Sequence, residues 1–387
     1  MRLRGLLAVF ASLLLLGCCA GLSAETAFPA IVLYGRVVNG TGLPPIENGA
    51  VLVVDRTIVA VGARDEVLVP EGAEIVDINN STILPGFINA HAHNLCPPVS
   101  RALWARSGVT TVRDMGMPFT PGWQECMSTR EDELVGAHVV WCGPLVTVPG
   151  GYPICGRGFP ALTVESSEDA KHQMNQLIAT GVNAIKITIT RCRCVSLSLA
   201  EVQAITETAH AHGIPVTAHV ETAEDAQRAL DGGVDDLAHV PGNTWMSNAL
   251  IENLVSKGVS MVSTLAPSYI HEPGVSPAMR DNLREFAQSG GLIAMGNDAG
   301  YLPGLTVGMP MDEIRALHEV GFSPMEIVTF ATANAAEVCR LSDRLGTLEP
   351  GKQADILVVN GNPLADLEVL TSTVLVIHRG TIIVDHR

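Results

Sequence analysis

From Pro85 onward, short apolar runs rich in β-branched residues alternate with longer Ala-, Glu- and Gln-rich stretches, and this alternation limits the fold more than any other feature. A strand, a crossing helix and a second strand return the chain in one direction, so repeated units of this kind build a parallel sheet. The runs read as strands are residues 86–90, 110–113, 138–141, 184–190, 215–218, 236–239, 260–264 and 292–297. Eight in succession predict an α/β fold of the (β/α)8 TIM-barrel type. The span 83–345 that holds them is close to the ~250 residues usual for such a barrel.

Both flanks have a different texture. Residues 29–82 read as short strands at 31–33, 49–54, 57–61 and 74–79, broken by Asn39-Gly40 and the turn-rich stretch 42–45. After Gly346 the chain becomes β-like again, with strands expected at 354–359 and 375–378. The two parts, 29–82 and 346–387, are expected to pair into one small β-sandwich beside the barrel. Residues 1–24 read as a secretory signal, since Arg2 and Arg4 precede an uncharged run of 11 residues, Leu6 to Leu16, followed by small residues. That run is too short to span a bilayer. Leu15-Leu16-Gly17-Cys18 is similar to a bacterial lipobox, which would make Cys18 the lipidated residue of a membrane-anchored exported protein. Cleavage after Ala20 or Ala24, giving soluble periplasmic or secreted protein, is the alternative, and an uncleaved anchor is the third reading.

Composition narrows the partners. With 47% hydrophobic residues the chain is globular, and a formal charge of −16 argues against nucleic acid, whose phosphates need a basic surface. A small-molecule substrate is expected, with membrane contact only through an N-terminal lipid and a homo-oligomer left open.

The strongest chemical signal is His91-Ala92-His93 at the end of the first barrel strand. Alternate strand residues point the same way, so two imidazoles two apart can address one metal from the barrel mouth. His210-Ala211-His212 has the same spacing but ends a helical stretch, where residues two apart diverge, and is expected at the surface. Further metal-competent groups close later strands: Lys186 on the fourth, His219 on the fifth, His239 on the sixth and Asp298 after the eighth. Barrel enzymes place their chemistry at these strand ends. Lys186 in the run Ala184-Ile185-Lys186-Ile187 is costly unless it has a partner or a modification.

These residues, with the stretches Pro85 to His93, Gly108 to Asp114 and Leu345 to Asp355, resemble the amidohydrolase superfamily of metal-dependent barrel hydrolases over nearly all of the chain after the signal. The imidazolonepropionase-like and Xaa-Pro-dipeptidase-like branches are the most similar in texture. The resemblance implies two divalent cations, zinc for an imidazole-rich set: one on His91, His93 and Asp298, the other on His219 and His239, with carboxylated Lys186 as the bridging ligand. It also implies a water activated by the cations, with Asp298 as general base and then acid, cleaving an amide, peptide or lactam C–N bond. A dipeptide or an N-acyl amino acid is the expected substrate class. Two departures stand out: Asn89 replaces the family's usual Asp, and Thr147 to Pro153 is similar to the Gly-Gly-His-Gly loop of the dipeptidase-like branch without matching it.

Arg157, Arg191 and Arg193 follow the third and fourth strands and are candidates to hold a substrate carboxylate, with Tyr152 and Tyr269 as candidate lining residues. Of the seven cysteines after Cys19, disulfides are expected, with Cys192 or Cys194 reaching Cys155, and Cys339 left as the free thiol. The enzymatic alternative is a mononuclear deaminase or cyclic-amidine hydrolase that does without Lys186. Such deaminases place a glutamate three residues after the fifth-strand histidine, whereas Glu221 follows His219 by two. An inert exported binding scaffold is the alternative of another class; it would be marked by a lost ligand, and none of the six positions is lost.

Overall fold

The structure is a computed structural model that describes residues 30–127, 136–190, 194–271 and 274–387. Among the described residues 17 strands run in chain order as β1 Ala30–Val37, β2 Ile46–Val54, β3 Thr57–Ala63, β4 Glu74–Pro85, β5 Phe87–Ala92, β6 Val109–Asp114, β7 His138–Trp141, β8 Val146–Thr147, β9 Leu162–Thr163, β10 Ile185–Thr188, β11 Val216–His219, β12 Asp236–Leu237, β13 Ser260–Val262, β14 Ile293–Ala294, β15 Ile356–Asn360, β16 Thr373–His378 and β17 Thr381–Asp385.

All eight expected barrel strands are present, as β5, β6, β7 and β10 to β14, and every pairing among them is parallel. Two arcs, β5-β6-β7 and β14-β13-β12-β11-β10-β8-β9, make the barrel. They meet on one side where the Asn183 N–H donates to the Trp141 carbonyl (2.7 Å). On the other side Ala90 N–H reaches Met295 O (2.8 Å) and Asp298 N–H reaches His91 O (2.9 Å). This is a TIM barrel with helices outside. The two-residue strands β8 and β9 were not expected; they carry the chain away from the third position and bring residues 151–160 over the mouth.

Glycine makes the second seam possible. A Cβ on Gly296 would meet the His91 backbone nitrogen at 2.8 Å, and one on Gly300, at φ +125°, would press into the His93 carbonyl. Without side chains there, the end of the eighth strand lies against the end of the first. Beneath the mouth, Ile88, Ala90, Val140, Val262 and Ala294 form an interior apolar layer with Ala335, Ala336 and Cys339 from the helical segment that closes the barrel.

The two chain ends form one body, as expected, built from a single seven-stranded sheet, β17-β16-β15-β4-β1-β2-β3. The sheet folds over, since Ile58 N–H bonds to Lys352 O and Ala354 N–H to Arg56 O, enclosing Leu33, Val53, Ile58, Ile83, Ile356 and Leu375 in one cluster. The expected signal, residues 1–24 with Cys18, lies outside the described residues. No helix among the described residues is long and apolar enough to cross a membrane.

Candidate metal centre and cleft

β5 is buried along its whole length and delivers His91 and His93 to the mouth. Both rings are held from behind by backbone carbonyls, His91 Nδ1 on Ala238 O (2.9 Å) and His93 Nδ1 on Gly116 O (2.9 Å). Donating from Nδ1 leaves each Nε2 with its lone pair forward. The two Nε2 atoms converge on a single oxygen, Asp298 Oδ1, at 3.2 and 3.1 Å. Asp298 reaches that place from a left-handed backbone, φ 58°, in the Gly296 to Gly300 turn.

Charge in this cluster is set by burial and by Asp298. Burial first, then the neighbouring Lys186 charge, lowers the His91 pKa to about 3. Burial is the largest single influence on His93 and pulls the same way, but the Asp298 contact, the Asp298 and Asp114 charges and the Gly116 carbonyl together outweigh it and the pKa is raised. Burial would raise Asp298, yet the two imidazoles hold its carboxyl well below the usual range.

The second group closes around the first. His239 Nδ1 meets Thr264 Oγ1 at 2.9 Å, and its ring centroid lies 4.7 Å from His91 and 4.5 Å from His219. His91, His239 and Asp298 bring donor atoms within 4.8 Å of one another, a spacing that can hold a cation. His219 stacks on Tyr152 at 4.8 Å, and its Nε2 lies 3.4 Å from Glu221 Oε1. Burial lowers the pKa of both His219 and His239. Lys186 is 1% exposed and forms no ion pair among the described residues; burial lowers its pKa to about 8. Below it, Arg113 and Asp236 form a fully buried two-point ion pair (2.9 and 3.1 Å), with Thr217 Oγ1 also on Asp236.

The family's usual aspartate is replaced by Asn89 without leaving a gap. Its Oδ1 accepts the His91 N–H (3.0 Å) and its Nδ2 donates to Asn297 Oδ1 (2.8 Å). An amide can accept and donate at once, which a carboxylate cannot, and the chain continues from Asn297 Nδ2 to Asp312 (3.2 Å).

All six expected metal-site positions border one cleft of about 620 Å³. Tyr152 and Arg157 line it together, the Arg157 charge opposing the rise that burial gives the Tyr152 pKa. Met117, Leu145, Phe159, Tyr301 and Leu302 supply an apolar wall. Three other candidates fare differently. Arg191 and Arg193 lie outside the described residues. Tyr269 does not line the cleft; its helix, Ala266–His271, packs it against the barrel core. Thr264, Asn297, Phe159 and Tyr301 went unnoticed in the sequence, although Thr264 closes the seventh strand and Asn297 adjoins Asp298, positions that barrel geometry marks.

The cysteines divide as disulfides Cys155–Cys194 and Cys96–Cys126. The first ties the Tyr152 and Arg157 loop to the segment after β10. Cys339 is a buried free thiol as expected, but Cys142 is a second one. It packs in the barrel interior with Met115, Ala184 and Ala238, remote from a partner, which corrects the expectation of a single unpaired thiol. Cys192 lies outside the described residues. His210 and His212, by contrast with the β5 pair, turn to separate surface partners, Asp235 (2.8 Å) and Asn175 (3.1 Å).

A sequence profile of the Amidohydrolase family matches residues 82–383, the barrel and most of the returning strands. The chain belongs to the amidohydrolase family. Adenine deaminase 4 of Rhizobium meliloti is 24% identical over 88% of the chain, which spans only about half (55%) of that protein's length. Among solved structures, a putative prolidase from Bifidobacterium longum is 27% identical with a TM-score of 0.79, over 92% of this chain and 95% of that one. A Xaa-Pro dipeptidase with methionine in its active site gives a TM-score of 0.80 at 22% identity, over 91% and 99%, which is a likeness of fold.

Proposed function

We propose that this amidohydrolase is a metal-dependent hydrolase of an amide or peptide C–N bond in a small substrate carrying a carboxylate. The observation that carries the reading is the convergence of His91 and His93 Nε2 on one oxygen of Asp298 beside His239. Two imidazoles with lone pairs forward and an anionic carboxylate are a donor set that fits a divalent cation such as zinc. In this reading His91, His93 and Asp298 hold one cation and His219 and His239 a second. Lys186, its ammonium losing two protons as the nitrogen adds CO2, would join the two groups as a carbamate. That modification would turn a buried ammonium that forms no ion pair among the described residues into an anionic oxygen ligand. When bound, the cations supply Lewis acidity, polarising the scissile carbonyl and making a water acidic near neutral pH.

The chain's own groups do the rest. Asp298 accepts the water's proton and returns it to the leaving nitrogen, so amide and water become acid and amine. Arg157, which lines the cleft beside Tyr152, grips the substrate carboxylate. The apolar wall holds the remaining part of the substrate and excludes water. Dipeptides and N-acyl amino acids have this shape, and the prolidase likeness supports the choice.

A second reading, a deaminase with one cation, is favoured by the tight three-donor group His91, His239 and Asp298 and by the adenine deaminase relative. Metal content separates the two: about two ions per chain support the first and about one the second. Lys186→Ala should lose one ion and lower kcat by about 100-fold or more; full activity with two ions would refute the bridge. A screen of dipeptides, N-acyl amino acids and adenine then identifies the substrate. Export, with Cys18 lipidated, is part of the same proposal, and the disulfides suit an oxidising compartment. Cys18→Ala should move the protein from the membrane to the soluble fraction.

A further inference from the structure

The helix Met311–Val320 begins with two adjacent carboxylates, Asp312 and Glu313, which are 3% and 0% exposed. Acids in a first helical turn usually face water, where they favour the helix N-terminus at little cost. Buried ones are costly, and no cation forms an ion pair with either among the described residues. Burial pushes the Glu313 pKa up to about 8 even with its hydrogen bonds in place. Its hydrogen bonds act against that rise and favour the charged, accepting form.

Each carboxylate reaches the end of a different barrel strand. Glu313 accepts three hydrogen bonds, from Ser263 Oγ (2.5 Å), Leu265 N–H (3.0 Å) and Ala266 N–H (2.7 Å). These donors bracket Thr264 on both sides. Thr264 is a β-branched residue at φ 38°, a conformation such residues avoid, and its hydroxyl is the group on His239 Nδ1. Asp312 serves the opposite side, accepting from Thr306 N–H (2.8 Å) and from Asn297 Nδ2, the residue before Asp298.

We infer that Glu313 is a positioning residue for His239. It clamps the turn 263–266 in the conformation that sets the Thr264 hydroxyl against Nδ1, holding the ring in place and leaving the other ring nitrogen for a cation. This rests on the reading of His239 as a ligand. Glutamine at 313 cannot replace the clamp, because two backbone N–H groups approach different carboxylate oxygens and one would meet the amide nitrogen.

The test uses the full protein, stripped by chelator and titrated with zinc, and 15N spectra of the His239 ring in the stripped state. Glu313→Gln should weaken the zinc that His239 holds by about 10- to 100-fold and shift the His239 ring 15N resonances as the Thr264 contact is lost. Asp312→Asn should act on the His91 and Asp298 side and leave the His239 ring resonances alone. Thr264→Val should match Glu313→Gln, and the double variant should be no worse than either, because both act through one contact. Wild-type zinc affinity and an unchanged ring spectrum in Glu313→Gln overturn the inference, as does a double variant whose losses add. If Glu313→Gln does not fold, Ser263→Ala removes a single donor and decides on the same two readouts. Should the wild-type chain bind only one zinc, the two-cation reading fails. The effect of Glu313→Gln on that one ion still decides the role of Glu313, since His239 belongs to the three-donor group.

Discussion

His91-Ala92-His93 and His210-Ala211-His212 are the same tripeptide in two places, and the molecule uses them in unrelated ways. On β5 the rings lie side by side, anchored from behind by carbonyls and meeting on one carboxylate oxygen. At the end of the helix Leu199–Ala211 they diverge to Asp235 and Asn175 at the surface. Spacing therefore means little until the period of the backbone is known. A strand repeats its direction every second residue, and a helix turns by 100° per residue, so the same gap that aligns two ligands on one separates them on the other.

The contrast breaks most visibly under alanine. His91→Ala or His93→Ala should abolish tight zinc binding and lower kcat on an amide substrate by roughly 100- to 10,000-fold, measured by metal analysis and steady-state kinetics. Retained zinc in both variants would falsify the assignment of the β5 pair. One step back from the ligands, Asn297→Ala cuts the relay from Asn89 to Asp312 and should weaken zinc by about 10-fold or more in a chelator competition.

Acid should divide the β5 pair within itself. Between about pH 6.5 and 4, metal-free protein loses stability because His91, His219 and His239 have lowered pKa values when folded, so the unfolded chain binds protons that the folded one refuses. His93, with a raised pKa, works the other way: it contributes stability below its unfolded pKa that is lost as pH rises through its folded one. His91→Gln should flatten the acid decline of the melting temperature and His93→Gln should steepen it; equal slopes would contradict the opposed shifts.

The smallest effect belongs to the helix pair. His210→Ala removes an exposed contact to Asp235 and should change stability by under about 1 kcal/mol, with kcat and zinc content unaltered.

The barrel strands and the six polar positions gathered at the cleft were legible because both leave local signatures: β-branched runs of fixed order, and polar residues where such runs end. What stayed hidden depends on contacts distant in the chain. Asp312 and Glu313 look like ordinary first-turn acids until Asn297 and Ser263 are brought to them. Tyr269 looked like a cleft residue because it follows the seventh strand, but its helix turns it into the core. Cys142 gave no sign that it would be buried inside the barrel as a free thiol, its Sγ on the Met115 thioether (3.7 Å).

The sheet assembled from both chain ends bears on the order of synthesis. β4 leads through Gly86 straight into β5, and its outer edge is completed only when β15 arrives to pair Leu84 with Leu357. A ribosome must finish the whole barrel before that partner emerges. Until then the nascent chain carries an apolar strand with an open edge, the form most prone to pair with a neighbour. Loss of the last forty residues would therefore leave the metal-site residues intact in sequence and still yield a chain that sticks to its own copies.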